Sequence, residues 1–129
     1  MKKINHFING QEYISKSDRF GDIFNPASGE KIGSVSFANK DDVALAIQNA
    51  SDAQKKWAAT PPLARSRVMF KFKELILRDI DKLALELTNE HGKILSDSVG
   101  SLTRGMEVVE FACGIPHLLK GEFSENVGT

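Results

Sequence analysis

Between Ser96 and Phe123 the chain reads SDSVGSLTRGMEVVEFACGIPHLLKGEF, and this stretch narrows the possible folds more than any other. Val99, Leu102, Met106, Val109 and Cys113 recur at steps of three and four, which lines one face of an α-helix with apolar side chains. Arg104, Val108 and Phe111 share a second face, roughly opposite the first. A helix with one apolar stripe lies on a surface, whereas a helix apolar on two sides is sandwiched between layers. Ser96 is placed to cap the N-terminus, with Asp97 at the positive end of the helix dipole. Gly114 and Pro116 end the helix. Arg104 is then a cation among apolar neighbours, and Glu107 at i+3 is the helix partner within its reach.

The segments before this helix supply candidate layers. His6-Phe7-Ile8 and Glu12-Tyr13-Ile14 are strand-like, and Asn9-Gly10 between them is a strong hairpin signal. Ser15 to Gly21 is polar and predicts a loop. Asp22-Ile23-Phe24 extends again, Asn25-Pro26-Ala27-Ser28-Gly29 predicts a turn, and Lys31 to Phe37 alternates as a half-buried strand does. Asn39 caps the next helix, with Asp42 at its third position. Val43, Ala46, Ile47, Ala50, Ala53 and Trp57 form its apolar stripe, Trp57 serving as a core anchor. Thr60-Pro61-Pro62 stops that helix and opens another, since proline is tolerated in a first turn. In this second helix Val68, Phe72 and Leu75, with Met69 and Ile76, are expected to face inward. A third helix starts at Asp79 or Asp81, buries Ile80, Leu83, Ala84 and Leu87, and stops at Gly92. The fold class that follows is α+β and mostly helical: a hairpin and short strands over about residues 5–37, then about four helices over residues 40–114.

Few residues carry an obvious chemistry. Arg65, Arg67, Lys71, Lys73 and Arg78 form a basic group, but Phe70 and Phe72 beside them suit a core, and Glu74 and Asp79 dilute the charge. A solvated helix face is the favoured reading over a phosphate or nucleic-acid patch. His6, His91 and His117 have no metal-ligand spacing with one another or with Cys113. Cys113 and His117 would meet on an unbroken helix, but Pro116 interrupts it, and Cys113 reads as a small buried residue. His91-Gly92-Lys93 lacks the upstream glycine and the following Ser/Thr of a phosphate loop, and no G-x-G-x-x-G occurs. Seventeen basic residues balance seventeen acidic ones, which argues against a nucleic-acid or membrane-surface partner. No apolar run is long enough to span a bilayer. A single cysteine and the absence of a signal-like start make the cytoplasm the expected compartment.

Three sets of residues carry a family resemblance: Phe7-Ile8-Asn9-Gly10, Asn25-Pro26-Ala27-Ser28-Gly29-Glu30 and Ile32-Gly33-Ser34-Val35 near the start; Glu90-His91-Gly92-Lys93; and Arg104-Gly105 followed by Val108 to Gly114 and Pro116 to Phe123. In this order and spacing they resemble the aldehyde dehydrogenase superfamily, and within it the CoA-acylating methylmalonate-semialdehyde dehydrogenases. The resemblance runs along the whole chain but covers only the start of that family's protein. It implies that residues 1–129 are an incomplete N-terminal piece of the α/β cofactor-binding domain. It also implies an intact protein that is a homo-oligomer and uses NAD and CoA to oxidise methylmalonate or malonate semialdehyde. The catalytic cysteine, the general-base glutamate and the nicotinamide site would lie beyond Thr129, so this chain is expected to hold no catalytic, cofactor or metal residue and to be inactive alone. The one site residue the resemblance assigns is Arg104, the arginine implicated in gripping the substrate's distal carboxylate. Ahead of that arginine the family pattern is usually Gly-Glu-Val; here it is Gly100-Ser101-Leu102.

Two other classes stay open on the residues alone. One is a stand-alone helical interaction module that pairs with a full-length relative. The other is a weak phosphate or nucleic-acid binder using Arg65, Arg67, Lys71 and Lys73.

Overall fold

A computed structural model of the chain describes residues 2–122. Phe123 and the stretch to Thr129, the last part of the motif quoted above, lie outside the described residues. The elements are β1 (Lys2–Ile4), β2 (His6–Ile8), β3 (Gln11–Tyr13), β4 (Phe20–Phe24), β5 (Lys31–Ser36), α1 (Lys40–Ala59), α2 (Pro62–Arg78), α3 (Ile80–His91), α4 (Leu95–Cys113) and α5 (Ile115–Leu118). Five short strands followed by helices agree with the expected fold class. The chain forms two compact units, one of Met1–Ala59 with Glu86–Ile94 and one of Thr60–Leu85 with Leu95–Thr129. Among the described residues no helix is long and apolar enough to cross a membrane.

In the first unit β2 and β3 make the expected hairpin, with His6 opposite Tyr13 and Ile8 opposite Gln11. Asn9 and Gly10 both have positive φ, 54° and 77°, so the two-residue turn twists in the sense that antiparallel strands require. A second sheet has the order β1-β5-β4. Its antiparallel pair is longer than the polarity of the sequence suggests: Phe20 and Gly21, expected in a loop, pair with Ser36 and Val35. Strand β1 was not expected at all. Met-Lys-Lys-Ile carries no alternating pattern, and it extends because β5 offers it a parallel partner, Lys2 opposite Gly33.

Helix α1 begins as its sequence dictates. Asn39 Oδ1 accepts from the Asp42 backbone N–H at 2.9 Å, and Asp42 Oδ2 accepts from the Asn39 N–H at 2.8 Å, a reciprocal cap. Asp42 is 2% exposed, which a capping role alone does not require. Its carboxylate also accepts from Tyr13 Oη at 3.0 Å and from Ser15 Oγ at 2.5 Å, so it ties the hairpin to the helix start. The apolar stripe of α1 is not core, contrary to expectation: Val43, Ile47 and Trp57 are all exposed. What fixes α1 within its unit is the polar cluster at its N-terminus, and that cluster leaves the stripe uncovered. The unit closes on Gly92, where φ is 81° and the N–H donates to the Thr88 carbonyl at 2.8 Å. A Cβ at Gly92 would lie 3.0 Å from Pro26 Cγ, so the helix stop packs directly on the Asn25-Pro26 turn.

The second unit is built on α2, α4 and α5. Helix α2 starts on two prolines, as expected, and its expected inward face is met in part, by Met69 and Ile76, which are half-buried. Val68, Phe72 and Leu75 are exposed. The buried and half-buried line is Ser66, Met69, Lys73 and Ile76. Two polar contacts with α4 set that rotation: Ser66 Oγ donates to the Cys113 carbonyl at 2.5 Å, and Lys73 Nζ meets Glu110 Oε1 at 2.6 Å. These contacts run in opposite residue order, so α2 and α4 are antiparallel. Helix α4 buries Ser98, Met106 and Cys113 and half-buries Val99, Leu102 and Val109, which is the first of its two expected faces. The second face stays bare: Val108 is 69% exposed and Phe111 70%. The helix starts at Leu95, one residue before the expected cap, so Ser96 falls within its first turn. Serine is tolerated there because first-turn N–H groups have no intrahelical acceptor.

The Asp42 cluster gives a pH-dependent expectation. The Ser15 hydroxyl, the Asn39 N–H and the Tyr13 hydroxyl together hold the Asp42 carboxyl below its usual value of 3.8. Its stabilising contribution is therefore complete above pH 3.8 and is lost as the pH falls through its lowered value. Tyr13 is shifted the other way, above 10.0, chiefly by donating to Asp42, so its contribution is lost as the pH rises through that raised value. Urea titrations should show Asp42→Asn less stable than the parent at pH 7, with the gap narrowing in acid as the pH falls below 3.8. Asn39→Ala should cost about 1 kcal/mol at neutral and acid pH alike. A gap for Asp42→Asn that persists unchanged in acid would contradict the assigned role.

Candidate functional site

Arg104 lies on the exposed side of α4, nine residues into the helix. Its Nη2 donates to Ser101 Oγ at 3.2 Å. Glu107, the partner its spacing suggests, does not pair with it, and among the described residues no carboxylate does. Ser101 and Glu107 are both three residues from Arg104 and within helical reach, and the guanidinium lies on the serine. A Cβ at Gly100 would stand 3.6 Å from Arg104 Nη1, an ordinary contact distance. The guanidinium thus keeps its full charge and most of its donors.

The basic group of α2 is not one surface. Arg65 and Lys73 turn inward and are half-buried, with Arg65 Nε buried and lacking a hydrogen-bond partner. Lys71 pairs with Glu74 at 2.7 Å, Lys73 with Glu110, and Arg78 with Asp79 at 2.6 Å. The Arg78 guanidinium in turn holds the Asp79 carboxyl below its usual range. Arg67 and Lys71 instead flank the exposed Val68, Phe72 and Leu75 in a shallow, mostly apolar recess. A solvated face describes Arg67 and Lys71; Lys73 instead belongs to the α2–α4 contact, and Arg65 is half-buried.

Cys113 is buried, and the helix breaks at Gly114 before His117, which is exposed, so the two form no dyad. Among the described residues no group of His, Cys, Asp and Glu could hold a metal ion. Among the described residues no glycine-rich turn leads from a strand into a helix, and three of the five α2 cations are paired with carboxylates. Sequence reasoning found Arg104 but not the serine that holds it, because a lone Ser on a helix surface gives no signal. It also missed Tyr13 and Ser15 on Asp42, contacts 29 and 27 residues apart in sequence.

A small mixed parallel and antiparallel sheet followed by long amphipathic helices is architecture of the α/β enzyme class. The chain belongs to the aldehyde dehydrogenase family, whose profile matches residues 13–128. It is 41% identical over 128 residues to a malonate-semialdehyde dehydrogenase of Pseudomonas aeruginosa, covering 99% of this chain and 26% of that protein. It is 42% identical over 125 residues to the mitochondrial, acylating methylmalonate-semialdehyde dehydrogenase of Arabidopsis thaliana, covering 97% of this chain and 21% of that one. Among solved structures, the methylmalonate-semialdehyde dehydrogenase of Oceanimonas doudoroffii superposes with a TM-score of 0.92 at 48% identity, covering 99% of this chain and 26% of its own. A Sinorhizobium meliloti protein of the same enzyme name, complexed with NAD, gives 0.93 at 46% identity, with 100% and 26% covered. The chain therefore spans about a quarter of the length of the relatives it matches.

Gly105 completes the Arg-Gly pair, and a Cβ there would meet nothing within 4 Å. A helix-interior glycine without a packing role costs about 0.5–1 kcal/mol relative to alanine. Gly105→Ala should raise the stability of this chain by about that amount in chemical unfolding. A loss of stability would mean that something packs against Gly105.

Proposed function

We propose that this chain is the N-terminal segment of the cofactor-binding domain of an NAD-dependent, CoA-acylating malonate- or methylmalonate-semialdehyde dehydrogenase, and that it is inactive by itself. Identity above 40% along almost the whole chain to proteins carrying those names is the observation that carries the reading. In the intact enzyme the aldehyde would be oxidised to an acyl-CoA through a thioester on a cysteine supplied by the remaining length of the protein. NAD supplies the hydride acceptor when bound; no residue described here is assigned to holding it or CoA. The partners are the rest of the dehydrogenase chain and further copies of it, in the cytoplasm, with no nucleic acid or membrane involved.

Within that reading Arg104 grips the distal carboxylate of the substrate. Its exposure and its lack of a carboxylate partner support the assignment, since a guanidinium without an ion pair is free to take an anion. Its planar fork suits a bidentate carboxylate contact better than a lysine does.

The purified chain, mixed with malonate semialdehyde, NAD and CoA, is expected to generate no NADH. NADH production that Cys113→Ala abolishes would overturn the reading. Arg104 is tested in a hybrid that joins residues 1–129 to the remaining length of the Pseudomonas aeruginosa relative. Arg104→Lys should lower kcat/KM for malonate semialdehyde relative to propionaldehyde, which lacks the carboxylate. A lost charged hydrogen bond of about 1.5–3 kcal/mol corresponds to roughly ten-fold or more in that ratio. Equal losses on both substrates would make Arg104 structural.

A further inference from the structure

Most of the described asparagines have their side chains held. Asn5 Nδ2 donates to Glu12 Oε1, Asn25 Oδ1 accepts from the Ala27 N–H, Asn39 Oδ1 accepts from the Asp42 N–H, and Asn49 Nδ2 donates to the Leu45 carbonyl. Asn89 lies inside α3, where the N–H groups are committed to the helix. Asn25 is protected a second time, because Pro26 after it has no N–H. Asn9, at the tip of the β2–β3 hairpin, differs from all of these. It is exposed, its side chain makes no hydrogen bond among the described residues, and the Gly10 N–H that follows it has no acceptor there either. A Cβ at Gly10 would meet nothing within 4 Å, so nothing crowds that nitrogen.

We propose that Asn9 is a site of spontaneous deamidation, and that its isoaspartyl product unlatches the hairpin from Asp42. Asparagine is thermolabile because its side-chain amide can be attacked by the next backbone nitrogen. Here the Gly10 nitrogen attacks Asn9 Cγ. A C–N bond forms, the Cγ–Nδ2 bond breaks, and ammonia leaves with the Gly10 proton. Solvent water then opens the five-membered imide. Attack at Cγ gives aspartate; attack at the Asn9 backbone carbonyl gives isoaspartate, in which the chain runs through Cβ and Cγ. One water enters, one ammonia departs, and nothing is oxidised or reduced. Aspartate keeps the two-residue turn, since Asp-Gly is also favoured there. Isoaspartate adds a backbone carbon to the turn, and turn length fixes which residues of β2 and β3 face each other. Tyr13, opposite His6, depends on that register, and its hydroxyl is one of the donors to Asp42. The inference stands on the hairpin and is independent of the enzymatic reading above.

The purified 129-residue chain tests it. Aged in mildly alkaline buffer, it is mapped by peptide mass spectrometry, with isoaspartyl methyltransferase labelling to mark the β-linked product. Asn9 should convert at least an order of magnitude faster than Asn5, Asn25, Asn39, Asn49 or Asn89. Asn9→Gly, which keeps a favoured turn pair, should abolish labelling of the hairpin peptide. Conversion of Asn9 no faster than that of the helical Asn49 and Asn89 would overturn the site. The unlatching has its own readout. Tyr13 is the single tyrosine, and donation to Asp42 holds its ionisation above 10.0. Ultraviolet titration of the separated isoaspartyl form should show the midpoint falling back towards 10.0, while Asn9→Asp keeps the parent midpoint. An isoaspartyl form with the parent midpoint would overturn the unlatching. An equal fall in Asn9→Asp would trace the effect to charge and overturn the role of the lengthened turn.

Discussion

The antiparallel contact between α2 and α4 decides most of what the second unit can be. It is held by two polar contacts, the Ser66 hydroxyl on the Cys113 carbonyl and the Lys73 ammonium on Glu110, with Met69, Ile76, Met106 and Cys113 along the same seam. The Ser66 contact satisfies one of the last carbonyls of α4, which no N–H of its own helix can reach. With the rotation of α2 fixed by these contacts, Val68, Phe72 and Leu75 point the other way. The helix therefore does not bury its most hydrophobic face, and it shows why an apolar moment alone does not orient a helix. A buried hydroxyl or ammonium without a partner is costly, so the polar pair takes precedence over exposing a few more methyl groups.

The consequence is an unusual amount of bare apolar surface in each unit. Val108 and Phe111 on α4, Val68, Phe72 and Leu75 on α2, and Val43, Ile47 and Trp57 on α1 are all exposed. Each large side chain left in water forgoes about 1.5–3 kcal/mol of burial, a substantial sum beside a total stability of roughly 5–15 kcal/mol for an ordinary domain. Single exposed residues of this kind need no explanation, but contiguous helix faces mark contact surfaces.

In the first unit the controlling group is a carboxylate. Asp42 caps α1, accepts from Tyr13 and Ser15, and is almost fully buried, so one residue joins the hairpin, the loop after it and the helix. The cap itself is local, and the sequence announces it. The tyrosine and serine are contributed from a distance, and they turn a routine helix start into the anchor of the unit. Arg104 shows the same division. Its place on the side of α4 away from the buried seam follows from helical spacing alone. Its partner does not, because the spacing admits both Ser101 and Glu107 and does not choose between them.

Local rules were enough to set the Asn9-Gly10 hairpin, the Asn39 cap, the proline start of α2, the Gly92 stop and the two-faced pattern of α4, because each depends on backbone conformations and contacts within a few residues. The family was also legible in the sequence, through motifs spread along the chain in a fixed order. Tertiary structure alone decided β1, the extension of β4 to Phe20, the exposure of Val68, Phe72 and Leu75 on α2 and the exposure of the α1 stripe. A strand without alternation exists only if a neighbour offers hydrogen bonds, and an amphipathic helix with a choice of faces turns to the one whose polar groups find partners. Those partners lie tens of residues away, where periodicity and propensity carry no information.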